Sequence, residues 1–176
     1  MPDVVVECGA GHDAPNTKNL LELQKALGYE LFTIDDNPYH EEKYGLDILS
    51  RNNFEWIQGV SFLELEKFPN ESIDICLIDT DHNYWTLNQE LTVLYPRLSL
   101  GGLIILHDTE TYWNDSGTMG GYRVNIKYPQ GIHDEEQAGK KMGDAVTEFL
   151  HNHLDCHIIA ESKESHGAMA IQKEGE

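Results

Sequence analysis

Two apolar runs near the middle of the chain end in the same way. Ile73-Asp74-Ile75-Cys76-Leu77-Ile78 leads into Asp79-Thr80-Asp81-His82, and Leu103-Ile104-Ile105-Leu106 leads into His107-Asp108. Short apolar runs bounded by polar residues predict strands buried on both faces. Val4-Val5-Val6-Glu7-Cys8, residues 30–34 and residues 54–59 predict three further strands. Leu20, Leu21, Leu23 and Leu27 place a helix over 17–27, and Leu87, Leu91, Leu94 and Leu98 place another over 83–98. A short helix is expected over 62–68 and a last one over 137–151, while Leu100-Gly101-Gly102 should turn the chain into the fifth strand. Residues 156–160 and 167–171 predict a closing hairpin. Strands alternating with helices specify an α/β fold: a Rossmann-like, doubly wound, mostly parallel sheet ending in an antiparallel hairpin. The 176 residues are expected to form a single domain. Residues 109–137 break the pattern, being rich in Gly, Tyr, Asn and Asp, and read as a lid or substrate loop with Tyr112, Trp113 and Tyr122 as its aromatic surface.

Charge narrows the partners. Thirty-one acids against 12 bases leave a formal net charge of −19, a field that repels phosphate backbones and argues against nucleic acid. A solvated acidic surface is the ordinary origin of such an excess. No apolar run approaches the ~20 residues needed to cross a bilayer, and the N-terminus lacks a signal-peptide pattern, so no membrane association is expected. Cys8, Cys76 and Cys156 are odd in number, widely spaced and without a CxxC, which argues against a disulfide framework and for a reducing, cytoplasmic setting; Cys8 and Cys76, inside expected strands, read as buried small apolar residues.

Ligands of open parallel sheets bind beyond the carboxyl ends of the strands. The two motif-bearing strands therefore converge Asp79, Asp81, His82, His107 and Asp108 on one cleft, a set suited to a divalent cation. Gly9-Ala10-Gly11 follows the first strand, where glycines let backbone approach a ligand closely. The third glycine of a dinucleotide fingerprint is missing. Asp35-Asp36 ends the second strand about 20 residues on, where an acid binds a ribose diol or serves as a turn acid. Glu7 is either a turn-stabilising acid or part of the same site. His151, His153 and His157 read as surface positions.

Five βα units and a terminal hairpin, with these motifs in order, resemble the class I S-adenosylmethionine-dependent methyltransferases. Val5-Val6-Glu7-Cys8-Gly9-Ala10-Gly11 is similar to the cofactor-binding first motif, and Ile34-Asp35-Asp36 to the ribose-binding second. The stretch from Ile73 to Tyr84 looks like the "hydrophobic strand, Asp-x-x-His" signature of the sugar and macrolide O-methyltransferases and cephalosporin hydroxylase-like proteins. Tyr95-Pro96-Arg97-Leu98, Gly101-Gly102, Leu106-His107-Asp108-Thr109 and Ser165-His166-Gly167-Ala168 continue it.

The resemblance implies S-adenosylmethionine held by Glu7, Gly9, Gly11, Asp35, Asp36, Ser61 and Asp79. It implies a divalent metal, Mg²⁺ first by its oxygen-rich ligands, on Asp79, Asp81 and Asp108. His82 and His107 would be the catalytic histidines, His82 as general base toward a hydroxyl of a sugar or other small acceptor. Two departures stand out. The third strand ends in Gly59-Val60-Ser61 without the usual acid, leaving adenine to Ser61 or backbone, and the chain begins almost at its first strand. Substrate recognition then falls to the 109–137 loop or to a neighbouring subunit, so a homo-oligomer is plausible. The competing readings are a non-catalytic nucleotide- or metal-binding module on this fold and a metal-dependent hydrolase.

Overall fold

The computed structural model describes residues 1–11, 13–39, 52–113 and 140–175. Its elements in chain order are β1 (Val4–Cys8), α1 (Pro15–Leu27), β2 (Glu30–Asp35), β3 (Phe54–Gln58), α2 (Ser61–Leu65), β4 (Ile73–Ile78), α3 (Tyr84–Leu94), β5 (Leu98–His107), α4 (Thr109–Tyr112), α5 (Met142–Asn152), β6 (Cys156–Ser162) and β7 (Ala168–Lys173). The seven strands form one sheet in the order β3-β2-β1-β4-β5-β7-β6. Pairs from β3 through β5 are parallel, and β7 runs antiparallel between β5 and β6. The strand order reverses between β1 and β4, so a crevice opens at their carboxyl ends. This is the Rossmann-like sheet and terminal hairpin expected from the alternating pattern.

The core follows from burial on both sheet faces. Val6, Cys8, Ile34, Ile73, Cys76, Ile78, Ile104 and Leu106 pack with Leu87, Leu91 and Leu94 of α3 and with Ala145, Val146 and Phe149 of α5. All three cysteines are free and buried, Cys156 as well as the two expected inside strands. Among the described residues, no helix is long and apolar enough to cross a membrane.

Several boundaries differ from the sequence pattern, for physical reasons. Leu100-Gly101-Gly102 does not turn the chain. The segment bulges within β5, whose register moves from Ile73 opposite Leu98 to Ile75 opposite Leu103, with Gly101 at φ +81°. Leu98 consequently belongs to β5, and α3 stops at Leu94 rather than at 98. On α1 the buried positions are Thr17, Leu21 and Gln24, whereas Leu23 is 53 % and Leu27 41 % exposed. That face is held by Gln24, which donates from Nε2 to the Tyr29 carbonyl, so a polar side chain takes a place the leucine count assigned to the core.

Trp113 packs against the core, and its indole lies where a Cβ on Gly143 would sit. The Gly143 N–H donates to the Trp113 carbonyl at 3.2 Å, tying the start of α5 to the end of α4. Trp113 is therefore a packing anchor at the root of the expected lid. Tyr122 and most of residues 109–137 lie outside the described residues.

Candidate functional site

Four strand ends build the cleft, and backbone hydrogen bonds register them. Gly9 N–H donates to Ile34 O, Asp79 N–H to Cys8 O and Gly59 N–H to Asp35 O, all within 2.8–2.9 Å. Gly9 and Gly11 have φ of +86° and +68°, and a Cβ on Gly9 would overlap the Asp79 carbonyl. Glycine is thus required there both by conformation and by the closeness of β4. The cleft encloses about 210 Å³ and is lined by Gly9, Gly11, Asp35, Asp36, Ser61, Asp79, Thr80, Asp81 and Thr86, among others.

Asp35 is buried at its edge. Its Oδ2 accepts from the Ala10 N–H at 2.8 Å and its Oδ1 from the Asn37 N–H at 2.9 Å, so this carboxylate shapes the glycine loop as well as facing the cleft. Burial, together with Asp35 and Asp81, pushes the Asp36 carboxyl above the usual carboxylate range. No lysine or arginine lines this cleft among the described residues.

Glu7 lies beneath the loop, fully buried and outside the cleft lining. Its Oε2 accepts from Thr17 at 2.6 Å and from Thr33 at 2.8 Å, and its Oε1 is buried with no hydrogen-bond partner. Burial raises this carboxyl to about 7, against the pull of the two threonines. Through these bonds Glu7 joins β1, α1 and β2 beneath the glycine loop.

Beside the cleft, two carboxylates and two imidazoles interlock. His82 Nε2 stands 3.3 Å from Asp79 Oδ1 and 3.0 Å from Asp108 Oδ2. His107 Nδ1 stands 3.5 Å from Asp79 Oδ1 and 3.0 Å from Asp108 Oδ1. Asn16, in the first turn of α1, donates to Asp79 Oδ2 at 2.8 Å. Burial pushes the Asp79 carboxyl up, but His82, His107 and Asn16 outweigh it and the net shift is down. Asp108 holds a left-handed backbone, φ 60° and ψ 24°, tolerated by Asp better than by most residues.

Asp79, His82 and Asp108 each offer one ligand atom, all within 4.8 Å of one another. Asp81, expected as a further ligand, falls outside this group: it accepts from Thr86 Oγ1 at 3.3 Å and lines the cleft. His82, which the resemblance gives as the general base, is the third member of this group. His107 Nδ1 and Asp108 Oδ1 are buried without hydrogen bonds of good geometry despite their 3.0 Å approach. Asp108 also belongs to the group whose ligand atoms converge, and two carboxylates with an imidazole form a donor set that suits a divalent cation.

Sequence reasoning missed Asn16 and Glu90. Asn16 carries no signal of its own, whereas Glu90 falls on the same helical stripe as Leu87, Leu91 and Leu94, where an acid is out of place.

Residues 6–109, more than half of the chain, match the methyltransferase domain family. No curated protein matches the chain at a significant level. Among solved structures, the SAH-bound Podospora anserina methyltransferase PaMTH1 is similar at TM-score 0.64 and 16% identity, over 99% of this chain and 73% of that one. A methyltransferase from Geobacter sulfurreducens gives 0.62 and 14% identity, over 99% and 72%. MycE, from the mycinamycin biosynthetic pathway and solved with Mg and SAH, gives 0.60 and 18% identity, over 97% of this chain and 45% of its own. Likeness at such identities is likeness of fold. With that fold and the family match over the strands that build the cleft, the chain belongs to the methyltransferase domain family, on the class I S-adenosylmethionine-dependent architecture.

Proposed function

We propose that the protein transfers the methyl group of S-adenosylmethionine to a hydroxyl of a sugar or another small hydroxylated acceptor, with Mg²⁺ assisting. One observation carries the cofactor: Asp35, Asp36, Asp79 and Asp81 line a single cleft without a lysine or arginine among its described lining residues. A pyrophosphate would be repelled there, whereas a ligand with a sulfonium and an ammonium group is complementary. Asp35 and Asp36 would take the ribose hydroxyls, and the Gly9–Gly11 backbone would approach the methionine portion. Ser61 and nearby backbone would meet the adenine. MycE, whose solved structure holds Mg and SAH, shares the fold and supports this pairing of ligands.

Asp79 and Asp108 would hold the cation, which supplies Lewis acidity that lowers the pKa of an acceptor hydroxyl. His82 Nε2 lies within 3.3 Å of both carboxylates, which would orient the ring so that its other nitrogen, Nδ1, receives that proton. His107 would hold Asp108 from the other side. S-adenosylmethionine, when bound, would supply an electrophilic methyl group to the acceptor oxygen, the electron pair of the sulfur–methyl bond leaving on sulfur. The chain's contribution is positioning.

Calorimetric titration of S-adenosylmethionine and S-adenosylhomocysteine, with and without Mg²⁺, tests the reading. Micromolar binding is expected. No binding of either ligand in both conditions overturns it in favour of a non-catalytic module.

A further inference from the structure

Glu90 is fully buried on the leucine stripe of α3. A carboxyl in that position needs partners, and both that it finds are hydroxyls from the cleft walls. Ser61, the first residue of α2, donates to Oε1. Thr80, just past β4, reaches Oε1 at 2.8 Å and Oε2 at 3.0 Å. Ser61 and Thr80 both line the acidic cleft, so Glu90 spans its floor from the β3 side to the β4 side.

We propose that Glu90 is a positioning residue that sets the hydrogen-bonding polarity of the nucleobase end of the cleft, by holding the Ser61 hydroxyl hydrogen toward itself. The inference rests on the S-adenosylmethionine reading above. A hydroxyl has one hydrogen and two lone pairs. While its hydrogen points at Glu90, Ser61 presents only lone pairs to the cleft. That surface accepts a hydrogen bond from an exocyclic amine, as on adenine, and is mismatched to a 6-oxo purine. The third strand ends without an acid, so this oriented hydroxyl is a side-chain acceptor at that end of the cleft, beside the backbone carbonyls.

The contact pattern lets the orientation persist when the carboxyl is protonated at Oε2. Ser61 reaches only Oε1, whereas Thr80 reaches both oxygens. Burial raises the Glu90 carboxyl to about 8, against the pull of the two hydroxyls and with Asp81 adding to it. A proton on Oε2 would be donated to Thr80 and would leave Ser61 donating to Oε1. A glutamine with its amide nitrogen at Oε2 would do the same.

The test compares affinities for S-adenosylhomocysteine and its 6-oxo analogue, S-inosylhomocysteine, in the wild-type chain and in E90Q, E90L, S61A and E90L/S61A. Wild type and E90Q should share the same preference for the 6-amino ligand. E90L and S61A should each lose about tenfold of that preference, the scale of one hydrogen bond, and the double variant should lose no more than either. A purely structural role would weaken both ligands together and leave their ratio unchanged. An unchanged ratio in folded E90L, with folding checked by circular dichroism, overturns the proposal. If E90L does not fold, an unchanged ratio in S61A overturns it alone. A wild-type chain that binds neither ligand overturns the methyltransferase reading and this inference with it.

Discussion

Asp35 Oδ2 accepts the Ala10 backbone N–H at 2.8 Å, fastening the end of β2 to the middle of the glycine loop. An acid read from sequence as a ribose ligand is therefore also a strut of the loop that would cradle the rest of the cofactor. Replacing it removes both. Asp35→Ala should weaken S-adenosylhomocysteine by roughly 10- to 100-fold, and leaving the buried Ala10 N–H unpaired should cost about 1–3 kcal/mol of stability. Calorimetry and urea unfolding measure the two losses separately. Asp36→Ala, at an exposed neighbour, should weaken the ligand with little change in stability.

The paired carboxylates and histidines separate by role. Asp108→Ala should abolish Mg²⁺ binding and Mg²⁺-dependent turnover, and chelation of the wild-type protein should reproduce the loss until Mg²⁺ is restored. His82→Gln should lower kcat by about 10²- to 10⁴-fold, the usual contribution of a general base, while Mg²⁺ affinity changes only a few-fold. A collapse of Mg²⁺ affinity in His82→Gln would instead make His82 the third ligand.

Stability should fall as pH rises through neutrality. Glu7 and Glu90 sit at about 7 and about 8 in the folded chain, against an ordinary 4.5. Groups raised on folding hold a proton the unfolded chain has released, so their contribution is full below about 4.5 and is lost as pH climbs through the folded values. Each costs up to about 1.4 kcal/mol per pH unit in that window. Asp74 and Asp79 are shifted down and act oppositely, losing their contribution as pH falls through the acid range. The thermal midpoint of the metal-free protein should thus peak near about pH 5 and decline toward pH 9. Glu90→Leu should flatten the alkaline side, and a midpoint as steep as wild type would exclude Glu90 as its source.

Gly143 is the foot of the Trp113 anchor. A Cβ there would meet the indole at 2.6 Å, and the ring is wedged against the core. Gly143→Ala should cost about 1–3 kcal/mol by overpacking, seen as a lower midpoint in urea. Trp113→Ala should destabilise as well, as loss of an anchor does; a surface residue of a lid would tolerate it.

Hydrophobic patterning alone specifies the alternation of strands and helices, the parallel core of the sheet, the closing hairpin and the strand ends that carry Asp35, Asp79, His82, His107 and Asp108. These are legible because a buried strand must be apolar along its length, and its polar residues begin where it leaves the core. The positions of those residues relative to one another came from packing. Asp81 stands apart from the cluster of Asp79, His82 and Asp108, because the backbone after β4 turns Asp81 toward Thr86 and His82 toward Asp108. Gly101-Gly102 became a bulge rather than a turn, because pairing with β4 resumes on its far side. Glu7 went beneath the loop, and Glu90 reached Ser61 and Thr80 across about thirty and ten positions of chain. Periodicity reports which face of an element is buried; the partners that meet a buried carboxyl come from other elements, and their approach is set by packing in three dimensions.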